Sequence, residues 1–246
     1  MAALARLHLV TDTRPGRNPL AVLRAALAAY GMVGPYIVGS VGPPVVQVRL
    51  DDSLTDCAAY ELATRIAGLC GSVGATCLVN NRLHIALAVG AGGGHVGALD
   101  LPVAPARAIL GPDAILGATA RSADCGRAAV AAGASYLGVG PCFETSTKDG
   151  LPAPIGIDGL TQVAAAVPVP VIAIGGVTAR RVPELVAAGA YGVAVVGAVS
   201  GAADPARATA ELLEALALSS VSTPASPAVP VTPPGDSTAG WPGATR

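Results

Sequence analysis

The feature that most constrains this chain is an eightfold alternation of short apolar strand patterns with Ala-rich helical patterns. Most of the strand patterns are nearly uninterrupted runs of apolar residues, which is typical of parallel strands covered on both faces. The predicted strands span 7–11, 45–49, 76–79, 94–96, 115–117, 136–140, 170–174 and 193–196. The predicted helices span 19–30, 54–70, 82–89, 102–110, 122–132, 157–167, 179–188 and 205–216. We therefore predict an α/β fold, a (β/α)8 TIM barrel, rather than a doubly wound open sheet, which typically has fewer strands.

Two segments fall outside the alternation. Residues 31–44 are rich in Gly and Pro, and we interpret them as an insertion on the amino-terminal face of the barrel. Beyond residue 217 the chain is mostly Ser, Thr, Pro, Ala and Gly, which cannot bury enough apolar surface to order itself. We predict a single barrel domain over residues 1–217 and a disordered tail over residues 218–246, which includes Trp241.

Charge and composition exclude several classes of partner. The net charge of −1 gives no basic field for nucleic acid or an anionic membrane. Residues 185–203 carry no charge and approach the length of a membrane span, but their Gly and Ala content favours a helix end, a strand and turns. The five cysteines show no metal-binding spacing, and the N-terminus shows no secretory pattern, so we predict reduced thiols and a cytoplasmic location. The oligomeric state stays open, with a homo-oligomer among the options.

A hydroxyl-rich loop follows the sixth predicted strand, in the stretch YLGVGPCFETSTK at 136–148. Because Pro141 cannot donate to a strand ladder, the strand ends there. Four oxygen-bearing side chains and a cation follow: Glu144, Thr145, Ser146, Thr147 and Lys148. Hydroxyls and an ammonium group all donate to phosphate oxygens, although a polar surface loop fits these residues alone equally well.

Glycines follow the last two predicted strands. Gly175 and Gly176 end the seventh strand, and Gly197 ends the eighth. Glycines at such positions let backbone N–H groups approach an anion, and this part of a barrel is a common phosphate site. We favour a phosphate site over a simple chain reversal.

Polar side chains follow most of the other strands. They are Gln47, Arg49, Asn80, Asn81, Arg82, His95, Asp100, Thr119 and Arg121. In barrels the chemistry lies at the carboxyl ends of the strands, so these groups are expected around one rim. Each alone is more often a cap or turn residue, and a lone His95 is more often a structural hydrogen-bonded histidine than a catalyst.

These segments together resemble the thiamine phosphate synthase family. The matching pieces are LHLVTD at 7–12, VVQVR at 45–49, CLVNNR at 77–82, GGHVGALDLP at 93–102, GATARS at 117–122, the loop at 136–150, VPVIAIGGVTA at 169–179 and AAGAYGVAVVGAV at 187–199. The resemblance implies a Mg2+-dependent transferase that joins hydroxymethylpyrimidine diphosphate to thiazole phosphate, giving thiamine phosphate and diphosphate. A related thiazole tautomerase and a non-catalytic phosphate-ligand-binding paralogue are the alternatives.

The resemblance also implies a role for each site residue. The residues implied to contact the pyrimidine diphosphate are Gln47, Arg49, Asn80, Thr119 and Lys148, of which Arg49, Thr119 and Lys148 are the catalytic candidates. The residues implied to hold the thiazole phosphate are Thr145, Thr147, Gly176, Val196 and Gly197. Asp100 is the implied Mg2+ ligand, with Asn81 at the position of a second ligand.

The chain departs from the family pattern at several positions in or beside the site, including Ala98 and Leu99, where the family usually has more polar residues. Asp51 stands where the family usually has Lys, and Asn81 where it usually has Asp. Thr119 replaces a usual Ser, and Arg121 replaces a frequent His. Losing a charge-assisted contact costs roughly 1.5–3 kcal/mol, while Asn81 still offers Mg2+ a carbonyl oxygen. We therefore expect the chain to share the fold of the family, whereas the departures at the site bear on whether it shares the activity.

Overall fold

A computed structural model of the chain describes residues 4–147 and 150–220. Eight parallel strands close into a barrel in chain order, with β8 paired to β1, which confirms the predicted TIM barrel. The strands are β1 Leu7–Val10, β2 Val45–Val48, β3 Thr76–Asn80, β4 Gly93–Val96, β5 Ile115–Ala120, β6 Tyr136–Val139, β7 Val171–Ile174 and β8 Gly192–Val195. The α-helices are α1 Pro19–Met32, α2 Pro35–Val41, α3 Asp56–Ser72, α4 Leu83–Ala88, α5 Val103–Leu110, α6 Ala123–Ala131, α7 Gly156–Ala166, α8 Val182–Ala187, α9 Gly197–Ser200 and α10 Pro205–Ser220.

Several helices begin at residues whose side chains accept a hydrogen bond from the first turn. Asn18 accepts from the Ala21 amide at 3.1 Å, and Pro19 then starts α1. Thr55 caps α3, and Ser122 caps α6 in the same way. Such caps satisfy amides that have no partner within the helix, so local sequence fixes where these helices start.

Side-chain alternation along the strands divides the core into two layers. In β2, Val46 and Val48 pack with the helices, whereas Val45 belongs to a second cluster. That second cluster comes from alternate positions of the strands and fills the barrel interior: Val10, Val45, Leu78, Tyr136, Ile172, Ala194 and Val196 are among its members. Because successive strand side chains point to opposite faces, Gln47 shares the inner face with Val45.

The same alternation places polar side chains on the inner face at the carboxyl ends of neighbouring strands. Asn80 is two residues beyond Leu78, and β3 pairs it with His95 of β4. β5 is longer than the predicted 115–117, so Thr119 lies within the strand and not after it. The mouth of the barrel is therefore lined by inner-face polar groups above an apolar floor.

The Gly- and Pro-rich segment at 31–44 contains α2. The backbone amide of Arg6 donates a hydrogen bond of 3.3 Å to the carbonyl of Val41, the last residue of α2. Arg6 precedes β1, so α2 lies at the amino ends of the strands, away from the mouth. The stretch 185–203 forms parts of α8, β8 and α9. Among the described residues no single helix is long and apolar enough to cross a membrane; α1 and α2 reach that length only together, with a bend of 116° between them.

The closing helix α10 extends to Ser220, past the predicted end of the domain at residue 217. The remainder of the predicted tail, including Trp241, lies outside the described residues. All five cysteines are free, with Cys70, Cys77 and Cys142 buried and the other two exposed.

We predict that α10 anchors the barrel through its buried leucines. Leu213 is fully buried, and Leu213→Ala should lower the free energy of unfolding by about 2–5 kcal/mol because it leaves a cavity. Leu218 on the same helix is 72% exposed and supplies the matched control, since Leu218→Ala should change that free energy by less than ~0.5 kcal/mol. Urea unfolding measures both, and equal losses in the two variants would contradict the packing described.

Candidate active site

One wall of the barrel mouth is made by amide side chains from β2 and β3. Gln47 is only 6% exposed, and its Nε2 donates to the Oδ1 of Asn80 at 3.0 Å. This bond fixes which way both amides face. It leaves the Nδ2 of Asn80 as a donor and the Oε1 of Gln47 as an acceptor for a ligand.

Arg49 connects β2 to the loop after β6. Its Nη2 donates to the backbone carbonyl of Thr147 at 3.1 Å. The Thr11 hydroxyl holds the Arg49 backbone through two contacts of 2.8 Å, one with the amide and one with the carbonyl. A carbonyl carries no net charge, so this contact positions the guanidinium without neutralising it.

The hydroxyls of the β6 loop face one another beside the start of α9. The Oγ1 atoms of Thr145 and Thr147 lie 3.1 Å apart. A Cβ added to Gly197 would come within 2.9 Å of the Thr147 methyl group, so the absence of a side chain at 197 lets the loop approach α9. Val196, just before that helix, is buried. The part of the β6 loop that carries these two hydroxyls therefore lies directly against the start of α9.

Gly176 allows a second close approach to the same loop. Its φ is +64°, and an added Cβ would lie 2.6 Å from the Glu144 carbonyl oxygen and 2.7 Å from the Cβ of Phe143. The Gly176 carbonyl accepts a bond from Arg181, whose guanidinium also stacks 4.1 Å above the Phe143 ring. Only glycine fits this position, because it needs both a left-handed backbone and room for the loop.

Asn81 and Asp100 follow the adjacent strands β3 and β4. Asn81 has a φ of +50°, and its buried Oδ1 has no hydrogen-bond partner among the described residues. Asp100 does not cap α5; its Oδ2 accepts from the Gly97 amide at 2.7 Å.

Within residues 4–147 and 150–220 no three His, Cys, Asp or Glu side chains form a metal cluster. One carboxylate and one unpartnered amide oxygen suit a Mg2+ ion that takes most of its ligands from substrate phosphate and water.

Asp51, at the position where a lysine was expected, is oriented by hydrogen bonds within its own turn. Its carboxylate accepts from the Ser53 amide at 2.9 Å and from the Ser53 hydroxyl. These hydrogen bonds, the hydroxyl first, lower the pKa of the Asp51 carboxyl. Arg82 holds the same turn from the other side by donating to the Asp51 carbonyl at 3.2 Å and to the Leu54 carbonyl at 2.8 Å. The Ser53 donors are neutral, so they orient the carboxylate without removing its negative charge, and the nearby Arg49 and Arg82 guanidinium groups also lower its pKa.

Thr119 and His95 lie on the inner face of adjacent strands. The Nε2 of His95 is 3.1 Å from the Thr119 hydroxyl, and its Nδ1 is 3.1 Å from the Tyr136 hydroxyl. His95 is therefore a buried hydrogen-bonded histidine, as its isolation in the sequence suggested. Arg121 reaches across to the Ala153 carbonyl at 2.6 Å, and among the described residues its buried Nε has no partner.

A charged cluster at the end of β1 was missed by the sequence analysis. Asp12 is buried and accepts two bonds from the Arg14 guanidinium at 2.9 and 2.7 Å, one from the Arg14 amide at 3.2 Å and one from the Ser200 hydroxyl at 2.6 Å. Arg17 lies 3.6 Å from the same carboxylate. The bonds from Arg14 hold the pKa of the Asp12 carboxyl well below its usual range, against the opposing effect of burial. The sequence signal for this cluster was an acidic residue directly after the predicted strand 7–11, followed two residues later by an arginine.

The loop after β6 also encloses a cleft of about 540 Å3 beside the mouth. Phe143, Thr145 and Pro154 are among its lining residues. Lys148, which the family resemblance placed against the diphosphate, lies outside the described residues. The structure thus brings Arg49, Thr145, Thr147, Gly176 and Gly197 to one side of the mouth and the two amides Gln47 and Asn80 to a shared wall.

Comparison with known proteins gives consistent relatives. A family model described as thiamine monophosphate synthase matches residues 7–199. The chain is 64% identical over 216 residues to the thiamine-phosphate synthase of Salinispora arenicola, covering 88% of this chain and 99% of that one. It is 42% identical over 210 residues to the thiamine-phosphate synthase of Moorella thermoacetica, covering 85% and 94%. The solved thiamine phosphate pyrophosphorylase of Pyrococcus furiosus superimposes with a TM-score of 0.75 at 31% identity, covering 87% of this chain and 96% of that one.

We predict that the buried Asp12 stabilises the protein as an anion. Asp12→Asn removes the charge that Arg14 and Arg17 face, so it should lower the free energy of unfolding by roughly 3 kcal/mol or more at pH 7. A carboxyl whose pKa is lower in the folded state stabilises fully above its unfolded value of about 3.9 and loses this contribution as the pH falls. The difference between wild type and Asp12→Asn, measured by urea unfolding, should therefore shrink below about pH 4. A difference that is unchanged by acid would contradict this assignment.

Proposed function

The chain belongs to the thiamine monophosphate synthase family, and we propose that it joins hydroxymethylpyrimidine diphosphate to thiazole phosphate at the mouth of the barrel. It is a transferase: the thiazole nitrogen takes the methylene carbon of the pyrimidine, and diphosphate departs. The products are thiamine phosphate and diphosphate. The chemistry needs two anion sites close together, one for a departing diphosphate and one for a resident phosphate.

The observation that carries this proposal is the contact between Arg49 and the β6 loop. The guanidinium is bonded to the Thr147 carbonyl, while the same threonine lies against Gly197 at the start of α9. Thr147 thereby links Arg49, a cation suited to diphosphate, to the group of donors suited to a phosphate. Two phosphate-bearing substrates held on either side of Thr147 would have their reacting ends directed to the same opening.

Arg49 is assigned to the diphosphate because that group gains negative charge as it departs. A guanidinium can hold two phosphate oxygens at once, and a fixed positive charge stabilises the leaving group more in the transition state than in the ground state. Lys148 is assigned to the same group from the family resemblance. Gln47 and Asn80, whose mutual bond fixes their orientation, are assigned with Thr119 to the pyrimidine half.

The thiazole phosphate is assigned to the hydroxyls of the β6 loop and the glycines beside them, next to Arg49. Thr145 and Thr147 supply two hydroxyl donors 3.1 Å apart. Gly176, Val196 and Gly197 supply backbone amides. The two glycines carry no side chain that would block the approach of the β6 loop. These donors hold an anion that does not change charge during the reaction, so their contribution is binding and orientation.

The apolar floor of the barrel protects the reaction from water. Val10, Ile172 and Val196 belong to the interior cluster below the polar rim. A pyrimidine fragment that becomes cationic as diphosphate leaves would be hydrolysed by water, so a dry floor directs it to the thiazole nitrogen.

The residues present fit a Mg2+ ion, and we propose that one is used. Asp100 and Asn81 would hold it, the latter through the buried Oδ1 that lacks a hydrogen-bond partner among the described residues. When bound, the ion would neutralise charge on the diphosphate. Because Asn81 is uncharged, we expect this site to bind Mg2+ mainly together with the diphosphate substrate.

The contacts at the mouth of the barrel give no specific support to the two alternative functions, a thiazole tautomerase and a non-catalytic binding protein. A tautomerase would need a proton shuttle near position 121, but the Arg121 guanidinium is a poor one and is bonded to the Ala153 carbonyl. A non-catalytic binder was suggested by Asp51, which keeps its negative charge, and binding of substrate without turnover would identify it. We also propose a cytoplasmic location, in keeping with five free thiols, and small-molecule substrates as the only ligands of the mouth.

We predict synthase activity that depends on both substrates and on Mg2+. Purified protein given the pyrimidine diphosphate, thiazole phosphate and Mg2+ should form thiamine phosphate and diphosphate in equal amounts, and chelation of the metal should abolish product. Chromatography of both products measures this. Activity that appears only in the Asp51→Lys, Asn81→Asp double variant would instead identify the natural chain as a binding protein.

We predict that Arg49 acts mainly on the departing diphosphate. Arg49→Ala should lower kcat by about tenfold or more, because at least one charge-assisted contact to the leaving group is lost. Arg65→Ala is the matched control, since Arg65 is exposed on α3 away from the mouth and its loss should leave kcat unchanged. If both variants turn over like the wild type, Arg49 does not hold the diphosphate.

A further inference from the structure

Four side chains from four strands form a continuous row inside the barrel that ends at the mouth. They are His8 of β1, Tyr136 of β6, His95 of β4 and Thr119 of β5. The rings of His8 and Tyr136 meet edge-on with centroids 5.2 Å apart, and hydrogen bonds of 3.1 Å then connect Tyr136 to His95 and His95 to Thr119. The function proposed above uses Thr119 and gives the other three no role.

Two glycines make room for this row. A Cβ at Gly117 would lie 2.2 Å from the Tyr136 ring and 2.4 Å from His95 Nδ1. A Cβ at Gly138 would lie 3.0 Å from His95 Cε1. The backbone of β5 and β6 is therefore shaped around the two rings, which leaves them little freedom to rotate.

Burial decides the direction of the hydrogen bonds. Tyr136 is 1% exposed, and within the described part of the chain its hydroxyl has one hydrogen-bond partner, His95 Nδ1. If Tyr136 donates, Nδ1 is unprotonated and neutral His95 carries its proton on Nε2. That nitrogen then donates to Thr119 Oγ1, and the Thr119 hydroxyl proton is available on the side of the mouth.

The opposite direction leaves a buried donor unsatisfied. If Nδ1 carried the proton, the Tyr136 hydroxyl would accept and its own proton would have no acceptor in the described interior. A doubly protonated His95 would have the same defect and add a buried charge. An unsatisfied buried donor costs more than an ordinary hydrogen bond contributes, so the first arrangement is favoured.

We propose that Tyr136 is a positioning residue which, through His95, makes the Thr119 hydroxyl a hydrogen-bond donor toward the pyrimidine substrate. This inference rests on the proposed function for the identity of the substrate. It accounts for a threonine being tolerated where serine was expected, because only the hydroxyl takes part. Tyr136 itself touches no reacting atom and acts through the tautomer of His95.

The tautomer can be measured without any activity. The chain has three histidines, and in 15N-labelled protein the His95 ring should show an unprotonated Nδ1 and a protonated Nε2 at pH 7. His84→Gln, at an exposed position, helps to assign the signals. A His95 protonated at Nδ1 would overturn the inference even if the protein is a fully active synthase. If the protein proves inactive, the proposed function is wrong, but the 15N measurement still shows in which direction the hydrogen bonds from Tyr136 through His95 to Thr119 run.

Kinetics test the consequence for the pyrimidine substrate. Tyr136→Phe keeps the ring and removes the hydroxyl, so it should lower kcat by about fivefold to tenfold with little change in the KM for thiazole phosphate. It should also populate the other His95 tautomer. Tyr191→Phe is the matched control, because the Tyr191 hydroxyl bonds to the Leu4 carbonyl at 2.7 Å at the amino end of the barrel. That control should leave both the rate and the His95 signals unchanged.

A double variant separates positioning from a general loss of packing. If Tyr136 acts through Thr119, the Tyr136→Phe, Thr119→Val double variant should be no slower than Thr119→Val alone. Independent, multiplying losses in the double variant would overturn the inference. A wild-type rate in Tyr136→Phe would overturn it as well, with the synthase assignment left intact.

Discussion

The alternation of side chains along eight closed parallel strands is the constraint on which this structure depends. Each strand presents apolar residues outward to the helices and another set inward, so the inner face of a barrel this size is filled by side chains. Polar groups are tolerated there only where they meet a partner or reach the mouth. Gln47, Asn80 and Thr119 occupy the last inward positions of their strands, while Tyr136 and His95 are kept inside by bonding to each other.

Arginines join the loops around the mouth, and most of them do so through backbone carbonyls. Arg49 bonds to Thr147, Arg121 to Ala153, and Arg181 to Gly176. A carbonyl acceptor fixes a guanidinium in place and leaves its charge for an anionic ligand, whereas a carboxylate would cancel it. Arg14 and Arg17 instead face the buried Asp12 and contribute to stability at the same rim. The guanidinium charges of Arg49, Arg121 and Arg181 thus stay available at the mouth of a chain whose net charge is −1.

Most of the fold could be predicted from the sequence, because parallel strands buried on both faces are long apolar runs separated by helical patterns. All eight strands were located, with errors at their ends: β5 continues to Ala120, and β2 stops before Arg49. The site was harder to predict in detail. Asp51 keeps its negative charge, and hydrogen bonds from the Ser53 amide and hydroxyl set its orientation. Of the two simple roles open to Asp100 in the sequence, a helix cap or a turn residue, the structure shows the turn, in which Asp100 accepts from the Gly97 amide.

The sequence by itself determined the order of the eight strands and of the eight predicted helices between them, and the glycines that let the β6 loop approach β7 and α9. These depend on local patterns and on side-chain size, which are read along the chain. Only the tertiary structure decided which polar groups meet. Arg49 and Thr147 are 98 positions apart, and Asp12 and Ser200 are 188 apart. Their contacts arise because barrel closure brings β1 beside β8 and places the β6 loop across the opening, and no local spacing encodes the partner that a side chain finds there.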